Sequence, residues 1–279
     1  MWMNRLGQNP ILIKTAKILR MGDSLKKFYY KLNCPKNIKK LRFQDIHADF
    51  YAQNFYELRA LETVFSNGGK FEERILEPLM ETIHPGDVAY DIGASIGIHT
   101  IFMAKKVKNA GKIIAFEPEN KTFKTLRKNI KLNNINNVKL IQKALGDQME
   151  VRMLYNQPKV GIGASSLLKF NGGKDKHHVV VIPGDDIVKK EKLPLPRAVK
   201  IDVEGFEYPV IRGFKKTLLQ KKCRLVCCEI HSTLYPETIN STKIFDLLHS
   251  YGFGKVKTHE RGGEIHAIFY KNSLDTDFH

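Results

Sequence analysis

Residues 91–97, with the sequence Asp-Ile-Gly-Ala-Ser-Ile-Gly, form the first stretch whose residue types and spacing could bind a cofactor. Gly93 and Gly97 bracket a tight turn between an apolar run and a helical pattern, and glycine lets the backbone bend sharply and a ligand approach closely. Glu117 ends the next apolar run, where a carboxylate can accept hydrogen bonds from both hydroxyls of a ribose. Together these features predict a nucleoside-binding site.

The turn also distinguishes between two classes of nucleoside cofactor. A dinucleotide needs the spacing G-x-G-x-x-G, which sets its pyrophosphate against backbone amides, and residues 93–97 do not have it. Asp91 precedes the turn, and its charge would repel a pyrophosphate but suit the ammonium group of a methionine moiety. The turn therefore favours S-adenosylmethionine, although Asp91 could instead only cap the turn.

The predicted third strand is followed by Ala144 and, after a Leu-Gly pair, by Asp147. At the carboxyl end of a strand these residues could contact an adenine, or Asp147 could simply belong to a Gly-Asp turn. The full set of predicted cofactor-binding residues is Asp91, Gly93, Ala94, Gly97, Glu117, Pro118, Ala144, Asp147 and Asp202.

Acidic and histidine side chains end two later apolar runs. Asp202 and Glu204 follow one run, and Glu229 and His231 end the next. Open α/β sheets bind ligands outside the carboxyl ends of their strands, so we expect these four residues in one catalytic cleft. His231, helped by Glu229 or Glu204, is the predicted base for a hydroxyl proton. Asp202 would orient cofactor and acceptor or bind a cation, whereas a buried structural role is the alternative for His231.

From Val88 onward, short apolar runs alternate with helical patterns, which predicts a mostly parallel sheet with right-handed crossovers. The predicted strands are 88–90, 113–116, 138–142, 198–202, 225–229 and 264–270, and the first two crossover helices are 98–107 and 121–132. Residues 150–155 and 178–182 predict an inserted β-hairpin that shapes substrate access, or else an ordinary connection.

Residues 1–70 carry helix-like patterns, many lysines and no clear strand alternation, which predicts a helical, lysine-rich extension. Residues 50–65 and 71–83 are the strongest helical segments. The apolar residues 11–19 are interrupted by Lys14 and Lys17, so they predict neither a secretion signal nor a membrane span. They could form a basic amphipathic helix on a membrane or partner, or an accessory helix packed on the main domain.

The chain carries 46 Lys and Arg against 29 Asp and Glu, a formal net charge of +17. This excess could serve an anionic partner, such as nucleic acid, a membrane surface or an acidic substrate, or be only a solvated basic surface. The four cysteines have no CxxC spacing, which predicts buried thiols in a reducing compartment and no metal site. We therefore expect a cytoplasmic protein that could associate peripherally with a membrane.

These stretches together resemble the FkbM family of S-adenosylmethionine-dependent methyltransferases over roughly residues 70–270. The matching pieces are residues 91–97, 114–118, 129–133, 144–147, 165–167 and 200–207. Ser95 stands where many relatives carry Asn, a departure that the turn should tolerate.

The resemblance implies a class I, Rossmann-like methyltransferase fold over residues 71–279, with the helical extension and the hairpin added to it. It also implies O-methylation of a hydroxyl on a sugar, polyketide or other small metabolite. We expect the acceptor oxygen to attack the methyl carbon in line, so that the protein mainly has to align the two reactants. An RNA methyltransferase that uses the basic surface is the near alternative. A nucleotide-dependent oxidoreductase, which the turn disfavours, and a non-catalytic binding module are alternatives of other classes. The oligomeric state is not indicated.

Overall fold

The computed structural model describes residues 22–34, 36–64, 70–156, 165–168, 175–235, 240–261 and 263–272. The chain divides into two compact units, Met1–Glu73 and Arg74–His279. The predicted basic helix at residues 11–19 lies outside the described residues.

The described part of the N-terminal unit contains two helices, as predicted for a helical extension, but also a β-hairpin that was not predicted. Helix α1 (Asp23–Asn33) precedes strands β1 (Ile38–Phe43) and β2 (Ile46–Tyr51), which pair antiparallel, and helix α2 (Phe55–Val64) follows. Along each strand buried and more exposed residues alternate, as with Leu41 and Arg42. Lys40 and Arg42 lie at outward positions of β1, and together with the neighbouring Lys39 they hid the alternation of this strand in the sequence. The predicted helix 50–65 accordingly begins only at Phe55.

The C-terminal unit is built on a seven-stranded sheet, and helix α3 (Lys70–Thr82) leads into it. Its strands are β3 (Val88–Ile92), β4 (Lys112–Phe116), β5 (Val138–Ile141), β10 (Ala198–Ile201), β11 (Leu225–His231), β12 (Phe253–Arg261) and β13 (Glu264–Lys271). The order across the sheet is β12-β13-β11-β10-β3-β4-β5. Strands β5, β4, β3, β10 and β11 are parallel, whereas β13 runs antiparallel to β11 and to β12.

Helices connect and flank this sheet, which completes the class I methyltransferase fold that the resemblance implied. They are α4 (Ile98–Val107), α5 (Asn120–Leu132), α6 (Gly184–Lys190), α7 (Glu207–Gly213), α8 (Lys215–Leu219) and α9 (Ser241–Ser250). Every residue of β3 and of β10 is buried, as expected for central strands covered on both faces. Edge strand β12 was not predicted, because lysines and other exposed polar residues break up its apolar pattern.

The predicted insertion forms a second, four-stranded sheet. Strands β7 (Glu150–Asn156) and β9 (Asp175–Pro183) pair antiparallel along seven positions, which confirms the predicted pairing of these two segments. Two short strands extend the sheet, since β6 (Ala144–Gly146) pairs parallel to β9 and β8 (Ser165–Ser166) pairs with β7. The insertion is thus larger than a hairpin.

All four cysteines are buried free thiols, which confirms the prediction that they are buried. In the described part of the chain, no helix is long and apolar enough to cross a membrane.

Candidate functional site

The glycine turn between β3 and α4 lies across the end of β4. Gly93 and Gly97 have φ angles of +78° and +95°, the left-handed region that glycine adopts without strain. The backbone N–H groups of Gly93 and Ala94 both donate to Phe116 O, at 3.0 and 2.9 Å. The turn is therefore tied to the strand that carries the predicted ribose acceptor.

Glu117, directly after β4, connects this strand to the glycine turn. Its Oε2 accepts a hydrogen bond from the backbone N–H of Ser95 at 2.9 Å, and its Oε1 accepts one from the N–H of Glu119 at 2.8 Å. The carboxyl is only 5% exposed, and burial raises its pKa to about 7 although both hydrogen bonds oppose the shift. Each carboxylate oxygen keeps acceptor capacity, so the group fits the hydroxyls of a ribose.

Asp91 is fully buried, and its carboxylate lies beside a cationic side chain. Its Oδ2 accepts a hydrogen bond from the hydroxyl of Thr100 at 2.5 Å, and its Oδ1 lies 3.5 Å from the Nζ of Lys200. The Lys200 ammonium also donates to Gly93 O at 3.0 Å and to Asp202 Oδ2 at 3.1 Å. Lys200 was not predicted. It balances the charge of Asp91, which therefore has an internal partner besides the expected methionine ammonium.

The predicted adenine-side residues lie at the start of the insertion, Ala144 in β6 and Asp147 directly after it. Ala144 is buried in β6, and Pro118, which follows Glu117, is half-buried. Asp147 forms an ion pair with Arg212 of α7 at 3.2 Å. Contact of Ala144 and Asp147 with an adenine stays a prediction.

The carboxyl ends of β10 and β11 bring all four predicted catalytic residues together. The parallel register sets Ile201 beside Cys228, so the residues that follow them, Asp202 and Glu229, are neighbours at the sheet edge. The Nε2 atom of His231 lies 3.6 Å from Glu204 Oε2, 3.8 Å from Glu229 Oε1 and 4.0 Å from Asp202 Oδ1. We call these four residues the edge cluster.

A strained turn carries Glu204 into the edge cluster, and the insertion contacts that turn. Glu204 and Gly205 have φ angles of +52° and +97°, an uncommon conformation for a glutamate. The hydroxyl of Ser166, in β8, donates to the Glu204 carbonyl at 2.5 Å. The insertion thus contacts the turn that carries Glu204.

Glu207, the first residue of α7, lies behind the edge cluster and is fully buried. Its Oε1 lies 2.9 Å from His231 Nδ1 and accepts from the Gly205 N–H at 2.9 Å, while its Oε2 accepts from the Tyr235 hydroxyl at 2.5 Å. No role had been predicted for Glu207 or Tyr235. The feature of the sequence that could have pointed to Glu207 was its position two residues after Gly205.

The pKa values of the edge cluster are coupled through its charges. Burial, followed by the charge of Asp202, raises the pKa of Glu204 to about 7 and that of Glu229 to about 8. Burial alone would lower the pKa of His231, but the hydrogen bond and charge of Glu207, with Asp202 and Glu204, raise it to about 10. Burial likewise opposes ionisation of Asp202, yet Lys200 and His231 lower its pKa. The resting cluster therefore pairs an imidazolium with ionised Asp202.

Three members of the edge cluster also have a spacing that a small cation could use. Asp202, Glu229 and His231 each present one donor atom within 4.8 Å of the other two. A protonated His231 has no free lone pair on Nε2, so a cation would have to displace that proton. Glu229 also lies 3.1 Å from the Nε2 of buried His266. We assign no metal to the edge cluster.

Comparisons with known proteins agree with this geometry. The family model described as "Methyltransferase FkbM domain" matches residues 91–254. Hexuronic acid methyltransferase AglP of Haloferax volcanii is 27% identical over 174 residues, which are 60% of this chain and 66% of AglP. A tRNA (cytosine(72)-C(5))-methyltransferase of Pyrococcus horikoshii is 34% identical over 57% of this chain and 38% of its own length. The chain spans less than two thirds of the length of these curated relatives.

Among solved structures, the methyltransferase FkbM of Methylobacillus flagellatus KT aligns with 77% of this chain and 54% of its own, with 15% identity and a TM-score of 0.47. The family match contains the glycine turn, Glu117 and the whole edge cluster. The turn and the acceptor atoms of Glu117 fit S-adenosylmethionine, which is the cofactor of this fold. The chain therefore belongs to the FkbM family of methyltransferases.

Proposed function

We propose that the protein methylates a hydroxyl oxygen on a sugar or another small metabolite. The observation that carries this proposal is the edge cluster, in which His231 Nε2 faces three carboxylates at the carboxyl ends of β10 and β11. A hydroxyl must lose its proton when its oxygen is methylated, and a group of coupled acids and bases with pKa values near or above neutrality can accept that proton.

The cofactor residues would hold the donor close to this cluster. When bound, S-adenosylmethionine supplies an electrophilic methyl group. The backbone of Gly93, Ala94 and Gly97 would enclose it, with Glu117 and Pro118 at the ribose. Lys200 bridges Asp91 and Asp202, so it connects β3, which leads into the glycine turn, to the edge cluster and would help to orient the two reactants. Such orientation can supply a large part of the rate enhancement.

We assign the proton transfer to His231 in its neutral form, with Glu204 and Glu229 sharing the proton afterwards. Asp202 stays ionised and would orient the acceptor. Because the pKa of His231 is raised to about 10, the neutral form gains population as the pH rises, and turnover should increase with pH towards that value.

A sugar acceptor is favoured over RNA by the name of one relative, which is a hexuronic acid methyltransferase. The relative that is named as a tRNA methyltransferase keeps RNA as the second candidate, together with the net charge of +17.

The basic charge would then serve a different purpose from the acceptor site. We propose that it holds an anionic partner, either a membrane surface or a nucleic acid, at a distance from the edge cluster. Binding to anionic vesicles and to RNA, each measured at rising salt concentration, tests this assignment.

Methyl transfer from radiolabelled S-adenosylmethionine to a panel of sugars, uronic acids, phenolic metabolites and unmodified tRNA tests the proposed function. The expected product is a methyl ether, identified by mass spectrometry and NMR. His231→Ala and Asp202→Asn should both lose turnover, and His231→Ala should still bind S-adenosylmethionine. Methylated tRNA would favour the second candidate, and retained turnover in both variants would overturn the residue roles. Cofactor binding without turnover on any acceptor would favour a non-catalytic binding module.

A further inference from the structure

We propose that Glu207 is a positioning residue for methyl transfer, which holds the His231 ring with Nε2 towards the acceptor side and stabilises the imidazolium that forms when the acceptor loses its proton. This inference rests on the proposed function of the edge cluster. It concerns a residue that would not touch the acceptor, because its carboxylate lies behind the ring and is fully buried.

Three hydrogen bonds hold the Glu207 carboxylate in place. The Gly205 N–H and the His231 ring share Oε1, each at 2.9 Å, and the Tyr235 hydroxyl donates to Oε2 at 2.5 Å. An ionised carboxylate can only accept, so the proton between Glu207 and His231 belongs to Nδ1. The neutral ring therefore keeps its lone pair on Nε2, the atom that faces the acceptor side.

Glu207 contacts the Nδ1 side of the His231 ring, whereas the other carboxylates lie near Nε2. The charged or titratable groups that face His231 are Asp202 and Glu204 after β10, Glu229 on its own strand and Glu207 on α7, with Lys200 and His266 one contact further away. Asp202, Glu204 and Glu229 are partly exposed and lie 3.6–4.0 Å from Nε2, while Glu207 alone is fully buried and bonds to Nδ1. A buried carboxylate on the far nitrogen selects the tautomer and raises the basicity of the near one.

The variant Glu207→Gln separates this role from a merely structural one. Glutamine keeps the shape of the side chain and an acceptor oxygen for Gly205 and His231, but it removes the charge. We expect the rising limb of the pH–rate profile to move about 1–3 pH units lower. We also expect the plateau rate to fall roughly tenfold, because the imidazolium loses its buried counter-charge. The affinity for S-adenosylmethionine should not change.

Tyr235→Phe is the matched control, since it removes one hydrogen bond to Glu207 and leaves the charge. Its pH–rate profile should keep the wild-type midpoint. An equal shift in both variants would overturn the proposal, because general loosening of the site would then explain the effect.

NMR of ¹⁵N-histidine-labelled protein tests the contact without any acceptor, so it does not depend on the proposed function. In the wild type at high pH, the neutral His231 ring should carry its proton on Nδ1, and a proton on Nε2 would overturn the proposal even if Glu207→Gln does not fold. In Glu207→Gln the pKa of His231 should fall. A lowered pKa with an unmoved pH–rate profile would refute the catalytic effect of Glu207 and leave O-methylation intact.

Discussion

The backbone carbonyl of Asp202 lies so close to Gly93 that a Cβ atom on Gly93 would be 1.7 Å from the carbonyl oxygen. The glycine turn and the first residue of the edge cluster thus touch through main-chain atoms. The glycine is needed here because another part of the protein, rather than only a ligand, approaches closely. Because of this contact, a change in the conformation of the turn should displace Asp202.

Gly93→Ala should therefore lower the free energy of unfolding by more than about 3 kcal/mol, since a backbone carbonyl cannot swing aside as a side chain does. Gly86→Ala is the matched control, because Gly86 also has a positive φ of +93° but no atom within 4 Å of its added Cβ. Its cost should be only the strain of the left-handed backbone, about 1–2 kcal/mol. Urea denaturation of both variants measures the difference, and equal costs would contradict the close contact.

Lys200→Met should destabilise the fold by about 3–5 kcal/mol, because it leaves the fully buried carboxylate of Asp91 without its counter-charge. Lys139→Met provides the comparison, since Lys139 pairs with Glu191 at the surface and should cost less than about 1 kcal/mol. Denaturant unfolding at pH 7 checks both values. A small effect of Lys200→Met would contradict a stabilising ion pair between Lys200 and Asp91.

Thermal unfolding of the cofactor-free protein should depend on pH through Glu117. Burial raises its pKa from 4.5 to about 7, so the folded protein keeps this proton to a higher pH than the unfolded chain. The stability that Glu117 contributes is then greatest below about pH 4.5 and is lost as the pH rises through 7. We expect a smaller fall in Tm between pH 5 and pH 8 in Glu117→Gln. A parallel fall in both proteins would refute this pKa shift.

Ser166→Ala should slow methyl transfer and leave the affinity for S-adenosylmethionine unchanged, because Ser166 supports the carbonyl of the strained Glu204. The loss of one such hydrogen bond should cost about 1 kcal/mol of stability. Ser165→Ala is the neighbouring control, since the Ser165 hydroxyl bonds to Asn156 instead. If the two variants show the same turnover, the insertion does not support the catalytic turn.

Chelation should leave turnover unchanged if His231 accepts the proton, because a cation on Nε2 would occupy the lone pair that the reaction uses. Activity with excess EDTA, followed by addition of Mg²⁺ or Mn²⁺, measures this. A loss with EDTA that either ion restores would assign Asp202, Glu229 and His231 to a metal instead.

Local patterns in the sequence were sufficient to predict six of the seven strands of the main sheet, the glycine turn with Glu117, and the edge cluster. Helix α4 has the predicted bounds 98–107, and β3, β4, β10 and β11 lie within one or two residues of their predicted ends. Short apolar runs that alternate with helical patterns identify these segments without knowledge of the strands they pair with. The hairpin of β1 and β2 was not, because its strands are short and the basic residues Lys39, Lys40 and Arg42 interrupt the apolar pattern of β1.

For the site residues too, local patterns predicted some features, and others depended on tertiary contacts. Glycine turns and acids at the ends of apolar runs are local features, so the sequence by itself determined the positions of Gly93, Glu117, Asp202 and His231 at the carboxyl edge of the sheet. It could not determine which charge balances which, since Lys200 and Asp91 lie on different strands and meet only through the pairing of β3 with β10. Only the tertiary structure placed Glu207 behind His231, because burial and the orientation of an imidazole ring depend on contacts between α7 and β11 that no local pattern records.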